Sequence, residues 1–141
     1  MPRCALAVAI LLLAVHAAAA DSAAGVMPGA RLAAAMDGTE PRVQAELLGL
    51  PPAREGAPLR IGVMLEIDPG WHIYARDPGE TGLPTRVELS LAGQSIATLQ
   101  WPEPREFREP DGPTARGYSG SVLIWAETEA RPGLARAAVE L

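Results

Sequence analysis

An all-β chain folded as a β-sandwich is what this sequence predicts, and three observations carry the prediction. Short stretches such as "LRIGVMLEI" (59–67) and "TRVELSL" (85–91) put apolar residues at every second position, the mark of a strand with one buried face. Turn chemistry separates them, with 14 glycines and 14 prolines in 141 residues. Helical periodicity is almost absent, so the apolar residues have no other regular way to share a core.

Taken in order, residues 1–20 stand apart from the rest. Arg3 gives a positive start, Cys4–Val15 an apolar stretch and Ala17–Ala20 small residues suited to cleavage, the layout of a secretory signal peptide. The apolar run is short for a membrane span, so removal near Ala20 is expected, with an uncleaved anchor as the rival reading. Roughly 120 residues then remain, enough for one core that buries about 65% of the unfolded surface. Asp21–Arg42 is rich in Ala and broken by Gly and Pro; it reads as a flexible leader, with a short helix over Ala30–Met36 as the alternative.

The domain proper is expected over 43–141. "VQAELLG" reads as a strand and Pro51–Pro58 as a loop. Leu59, Ile61, Val63, Leu65 and Ile67 alternate strictly with Arg60, Gly62, Met64 and Glu66. Asp68-Pro69-Gly70 predicts a type II turn, with Pro at i+1 and Gly at i+2. Trp71–Tyr74 returns as a strand, with Trp71 and Ile73 facing the core and His72 and Tyr74 the other side. A second turn is expected at Asp77-Pro78-Gly79. Strands follow at 85–91, at Ser95–Trp101 and at "SGSVLIWAE", with Pro102–Arg116 a charged loop before the last. "ARAAVEL" alternates again up to Leu141 without a closing turn, so the sandwich is expected to be incomplete at its C-terminal side. The uncovered strand edge and core face would favour aggregation.

Composition excludes some functions. The chain has a net charge of −5 and no lysine, and loss of Arg3 with the first twenty residues makes the remainder more acidic still. An acidic surface repels phosphate backbones, so a nucleic-acid partner is not expected. The one cysteine, Cys4, lies in the expected signal, leaving residues 21–141 without a thiol.

His72 is the one histidine after His16, too few nitrogen and sulfur ligands for a zinc site. Met36 and Met64 could join it as soft copper ligands, but packing accounts for them equally well. "GYSGS" (117–121) departs from the nucleophile elbow at its fifth position and opens a strand rather than a helix, so Gly117–Gly120 reads as a turn. Glu103, Glu106, Glu109 and Asp111 share one solvated loop without the distinct environments that a catalytic carboxylate pair needs.

The runs "PGWHIYARDPGETGLPTRVEL" (69–89), "LQWPEPREF" (99–107) and "GYSGSVLI" (117–124) resemble the N-terminal domain of the thiol:disulfide interchange protein DsbD family. The closest look is to the branch that includes suppressor-of-copper-sensitivity proteins, and the resemblance spans Val43–Leu141. It implies an immunoglobulin-like β-sandwich in the periplasm. It also implies a role in protein-disulfide reduction, with electrons received from a membrane domain through a thioredoxin-like domain. Periplasmic thiol–disulfide proteins, among them disulfide isomerases and cytochrome c maturation factors, are the implied partners. The chemistry is thiolate attack and a mixed disulfide, and no cofactor is implied. By the resemblance Glu106, Phe107 and Arg108 correspond to a cap loop over the reactive site, and His72 and Tyr74 to its wall. The family's cysteine pair has no counterpart here, so the catalytic set is empty and this chain alone is expected to be redox-inactive. The alternatives are a cysteine-free β-sandwich that binds a partner and, with less support, a periplasmic copper-binding module.

Overall fold

The alternating segments become antiparallel strands because each can bury one face while its backbone pairs with neighbours. A computed structural model describes residues 42–108, 110 and 112–141 in full, and 8–15 and 31–33 as backbone strands. In chain order these are β1 (Val8–Val15), β2 (Arg31–Ala33), β3 (Val43–Leu50), β4 (Leu59–Ile67), β5 (Ile73–Gly79) and β6 (Arg86–Leu91). There follow β7 (Gln94–Ser95), β8 (Arg105–Arg108), β9 (Thr114–Tyr118), β10 (Ser121–Thr128) and β11 (Gly133–Glu140). The described residues contain no helix.

Three antiparallel sheets result, ordered β1-β11-β6-β7, β10-β4-β3-β2 and β5-β9-β8. The fold is an immunoglobulin-like β-sandwich. Its core is drawn mainly from the inward positions of the first two sheets, joined by Ile73, Ala75 and Tyr118 of the third. Leu47, Leu59, Ile61, Val63, Leu65 and Ile124 meet Leu89, Leu91, Ala135, Ala137 and Val139, none more than 2% exposed. Every second residue of β4 takes part, as the alternation predicts. The expected turn forms at Asp68–Trp71, where the Trp71 N–H donates to the Asp68 carbonyl at 3.0 Å and Gly70 has φ 83°. It carries the chain from β4 into β5, in the third sheet. Ser119 and Gly120 bring it back to β10, and the Ile67 N–H donates to the Gly120 carbonyl at 2.9 Å. The third sheet is thus tied to one end of the sandwich at two adjacent connections.

Several expectations are corrected. Trp71 is 43% exposed rather than in the core: the turn extends to it, the strand starts at Ile73, and its ring lies under Arg42 at 5.3 Å. Ile73 is in the core as expected, at 5% exposure. Asp77-Pro78-Gly79 is the irregular end of β5, not a separate turn; the register shifts between Tyr74 and Gly79. Ser95–Trp101 is not one strand. After the two residues of β7 the chain leaves the first sheet and crosses to the second, where Gln100 pairs with Trp125, so no continuous ladder can form. Pro102–Arg116 is not an open loop, since it contains β8 and the start of β9 paired as a hairpin. Within "GYSGS", Gly117 and Tyr118 belong to β9, and only Ser119-Gly120 turn.

The leader reading meets β2, a three-residue strand on β3, where a helix over Ala30–Met36 was the alternative. The rest of that leader, including Met36, lies outside the described residues, as do Glu109 and Asp111. In this structure of the full chain, part of the expected signal segment forms β1 and lines the entire edge of β11.

Candidate functional site

The third sheet gathers the expected site residues. Its central strand, β9, pairs with β5 on one side (Ile73 with Tyr118, Tyr74 with Gly117) and with β8 on the other (Arg105 with Gly117, Phe107 with Ala115). Directly paired residues share a face, and alternate residues along a strand share it too. Tyr74, Gly117, Ala115 and Phe107 therefore lie on one face, and His72, two residues before Tyr74, joins them. Ile73, Ala75 and Tyr118 take the opposite face and enter the core, at 3–6% exposure.

Three rings meet over this small-residue floor. The His72 imidazole is stacked on Phe107, with centroids 4.8 Å apart and planes 12° from parallel. Tyr74 meets His72 edge-on at 5.2 Å and 88°. Both are geometries that aromatic pairs favour. All three rings are half-buried, while Ala115 beneath them is fully buried. Two glycines make the assembly possible. A Cβ on Gly117 would lie 2.1 Å from the Ile73 carbonyl oxygen, so β5 can approach β9 this closely only at a glycine. A Cβ on Gly82 would lie 2.4 Å from the Tyr74 ring, which rests on that turn.

Tyr118 anchors the floor from below. Its hydroxyl donates to the Pro102 carbonyl at 2.8 Å, and its ring lies 6.4 Å from Trp101, which ties the entry to β8 against β9. Burial pushes its pKa up from 10.0, and the positive charge of Arg76 partly opposes that shift. Arg76 itself lies 5.7 Å from the centre of the Trp101 ring. At the irregular end of β5, Arg116 pairs with Asp77 at 2.5 Å, and the Thr114 N–H donates to Glu80 Oε2 at 3.1 Å. The pair is exposed, so it fixes geometry more than it adds stability.

Of the residues singled out from sequence, His72, Tyr74 and Phe107 are brought together. Glu106 and Arg108 flank Phe107 on β8 and are exposed. Sequence reasoning missed Gly117 and Ala115. The visible signal was an alternation of small residues in "TARGY", which passed for loop and turn chemistry. Among the described residues no group of three or more His, Cys, Asp or Glu side chains could hold a metal ion. The arrangement offers a compact aromatic surface bordered by mixed charge, suited to protein contact. An open cleft of about 290 Å³, lined in part by Ile96, Thr98, Glu127 and Arg131, includes none of the three rings.

No curated protein and no solved structure matches the chain. A family model does, that of "Thiol:disulfide interchange protein DsbD, N-terminal", over residues 44–141. That match covers the sandwich from β3 to β11, with every strand that builds the aromatic cluster, and the chain belongs to the DsbD N-terminal domain family.

Proposed function

We propose that this domain serves thiol:disulfide interchange in the periplasm as the partner-facing module of a protein-disulfide reductase. Its partners are thioredoxin-fold thiol–disulfide proteins and cytochrome c maturation factors. In this reading Phe107, with Glu106 and Arg108, forms a cap, and His72 and Tyr74 form the wall against which the cap rests. The observation that carries the reading is the stacking of Phe107 on His72, in a chain of this family, on the sheet face turned away from the core. A ring held by a stack of order 1 kcal/mol can be displaced by a docking protein at small cost. Residues 21–141 contain no sulfur nucleophile, so their part is recognition and shielding rather than electron transfer.

The test is an NMR titration of the full chain with a periplasmic thioredoxin-fold protein, prepared in reduced and in oxidised form. The expected result is shift changes centred on His72, Tyr74 and Phe107, and an altered affinity in Phe107→Ala. Binding that leaves all three unperturbed would overturn the site, and no binding to either form would overturn the partner class. The lack of a thiol after Cys4 favours one second reading, a binding module without redox coupling. It predicts the same affinity for the reduced and oxidised partner.

A further inference from the structure

The Phe107 ring stands on a short strand, and a short strand keeps its place only if its start is fixed. β8 has four residues and, among the described residues, pairs with β9 alone. Residues 101–104 ahead of it belong to no strand, yet Gln100, Trp101 and Pro102 are tied to three different ones. Gln100 exchanges two backbone hydrogen bonds with Trp125 of β10, at 2.6 and 3.2 Å. The Trp101 side chain packs on the core, and its ring stacks beside Tyr118 of β9 with centroids 6.4 Å apart. The same ring meets the Arg76 guanidinium of β5 at 5.7 Å. The Pro102 carbonyl accepts a hydrogen bond from the Tyr118 hydroxyl at 2.8 Å.

From there the chain is stiff. Pro102 and Pro104 each fix their own φ and favour extended backbone at the residue before, Trp101 and Glu103. Trp101–Arg105 is thus a strut of about 13 Å, and it carries any displacement of Trp101 into β8. Phe107 lies two residues beyond its end. The strands that grip Trp101 also hold the other side of the stack. Arg76 is two residues after Tyr74 on β5, and Tyr118 follows Gly117 on β9. Phe107 and the rings it meets are therefore aligned through one indole. We propose that Trp101 is a positioning residue, which acts through Pro102–Pro104 to set Phe107 on His72. That Phe107 serves as a cap rests on the function proposed above; the alignment itself does not depend on it.

NMR of the full chain tests this without a partner. The His72 ring protons give the scale, from their shifts in the unaltered chain to those in Phe107→Ala, where the stack is gone. Trp101→Leu is expected to move them toward the Phe107→Ala values, and Arg76→Gln to move them less in the same direction. Trp101→Phe should restore most of the shift, because a ring again stands beside Tyr118. Val63→Ala, a truncation in the buried core of β4, controls for lost stability and should leave them in place. His72 signals that ignore Trp101→Leu, or that move as far in Val63→Ala, overturn the proposal and leave Trp101 a packing residue. If Trp101→Leu does not fold, Arg76→Gln and Tyr118→Phe carry the test. The first alters only an exposed side chain and the second a single hydroxyl, and unmoved signals in both overturn the proposal. Titration with the periplasmic thioredoxin-fold protein then separates the two readings. Trp101→Leu should bind it more tightly than the unaltered chain, and the gain should vanish in a Phe107→Ala background. His72 signals that follow Trp101 in a chain that binds no partner uphold the positioning and overturn the partner reading instead.

Discussion

Replacing Gly117 with alanine should cost far more than an exposed-looking turn glycine would suggest. The new Cβ would lie 2.1 Å from the Ile73 carbonyl oxygen, 3.1 Å from the Ile73 carbonyl carbon and 3.2 Å from the Tyr74 Cα. All three are backbone atoms of β5, so no side-chain rotation relieves the clash. β5 must retreat by about 1 Å to reach an ordinary contact. Overpacking of this kind costs about 1–3 kcal/mol, and weakening one or two ladder hydrogen bonds adds about 1 kcal/mol each. The expected loss is about 3 kcal/mol, which for a domain of this size lowers the Tm by about 15 °C.

Urea denaturation gives the free energy, with an unchanged m-value as the sign that two-state unfolding persists. NMR gives the site. The His72 ring protons lie over the face of Phe107, and retreat of β5 should move them away from its ring current. Gly120→Ala is the control, because its Cβ would meet nothing within 4 Å and only its φ of 72° is unfavourable. It should cost about 1 kcal/mol and leave the His72 signals in place. A Gly117→Ala loss below about 0.5 kcal/mol, with the His72 shifts intact, would refute the role assigned to the β5–β9 approach.

Other substitutions probe separate parts of the same account. His72→Ala and Phe107→Ala should be non-additive in urea melts, with a coupling of about 0.5–1.5 kcal/mol; strict additivity would mean that the stack adds nothing. Ile73→Ala should cost at least about 2 kcal/mol, whereas Trp71→Ala, on the outside, should cost less than about 1 kcal/mol; the reverse order would return Trp71 to the core. Tyr118→Phe should cost about 1 kcal/mol through the lost bond to Pro102. It should also change the alkaline limb of stability. Because burial raises the folded pKa of Tyr118 above 10.0, the unfolded chain ionises first. The stabilisation is complete below pH 10 and is lost as the pH climbs toward the folded value. Urea midpoints at pH 9 and pH 11 should therefore differ more in the unaltered chain than in Tyr118→Phe, and equal differences would contradict the burial argument.

The parts of the fold legible in the sequence are those where one face is buried and the other is wet. In β6, and in β4 apart from the buried Gly62, the burial pattern along the chain repeats the apolar alternation. Legibility fails where a segment changes sheets. Ile96–Leu99 has strand-like residues, yet it spans the gap between β7 and the bridge of Gln100 with Trp125, and local propensity cannot express a crossover. It fails again at β8–β9, where "PREFREPDGPTARGY" has a loop's composition because its outer strand is short, charged and at an edge. Edge strands have to look like this to stay soluble, so composition hides them.

The site was legible as a set of rings but not as a place. Period two put His72 and Tyr74 on the face away from Ile73, and they lie there. Nothing in the spacing brings Phe107, 35 positions from His72, into contact with them. What does so is β9, which was read as loop and turn and whose decisive residues, Gly117 and Ala115, are notable for what they lack. A missing Cβ lets β5 close on β9, and a small side chain leaves room for rings above the sheet. Ring residues announce themselves in a sequence; the small residues that let them meet do so only once the strand pairing is known. Substitutions at the floor should therefore disturb this site as much as substitutions at the rings, and Gly117→Ala is the sharper of the two tests because it removes no atom that a partner could touch.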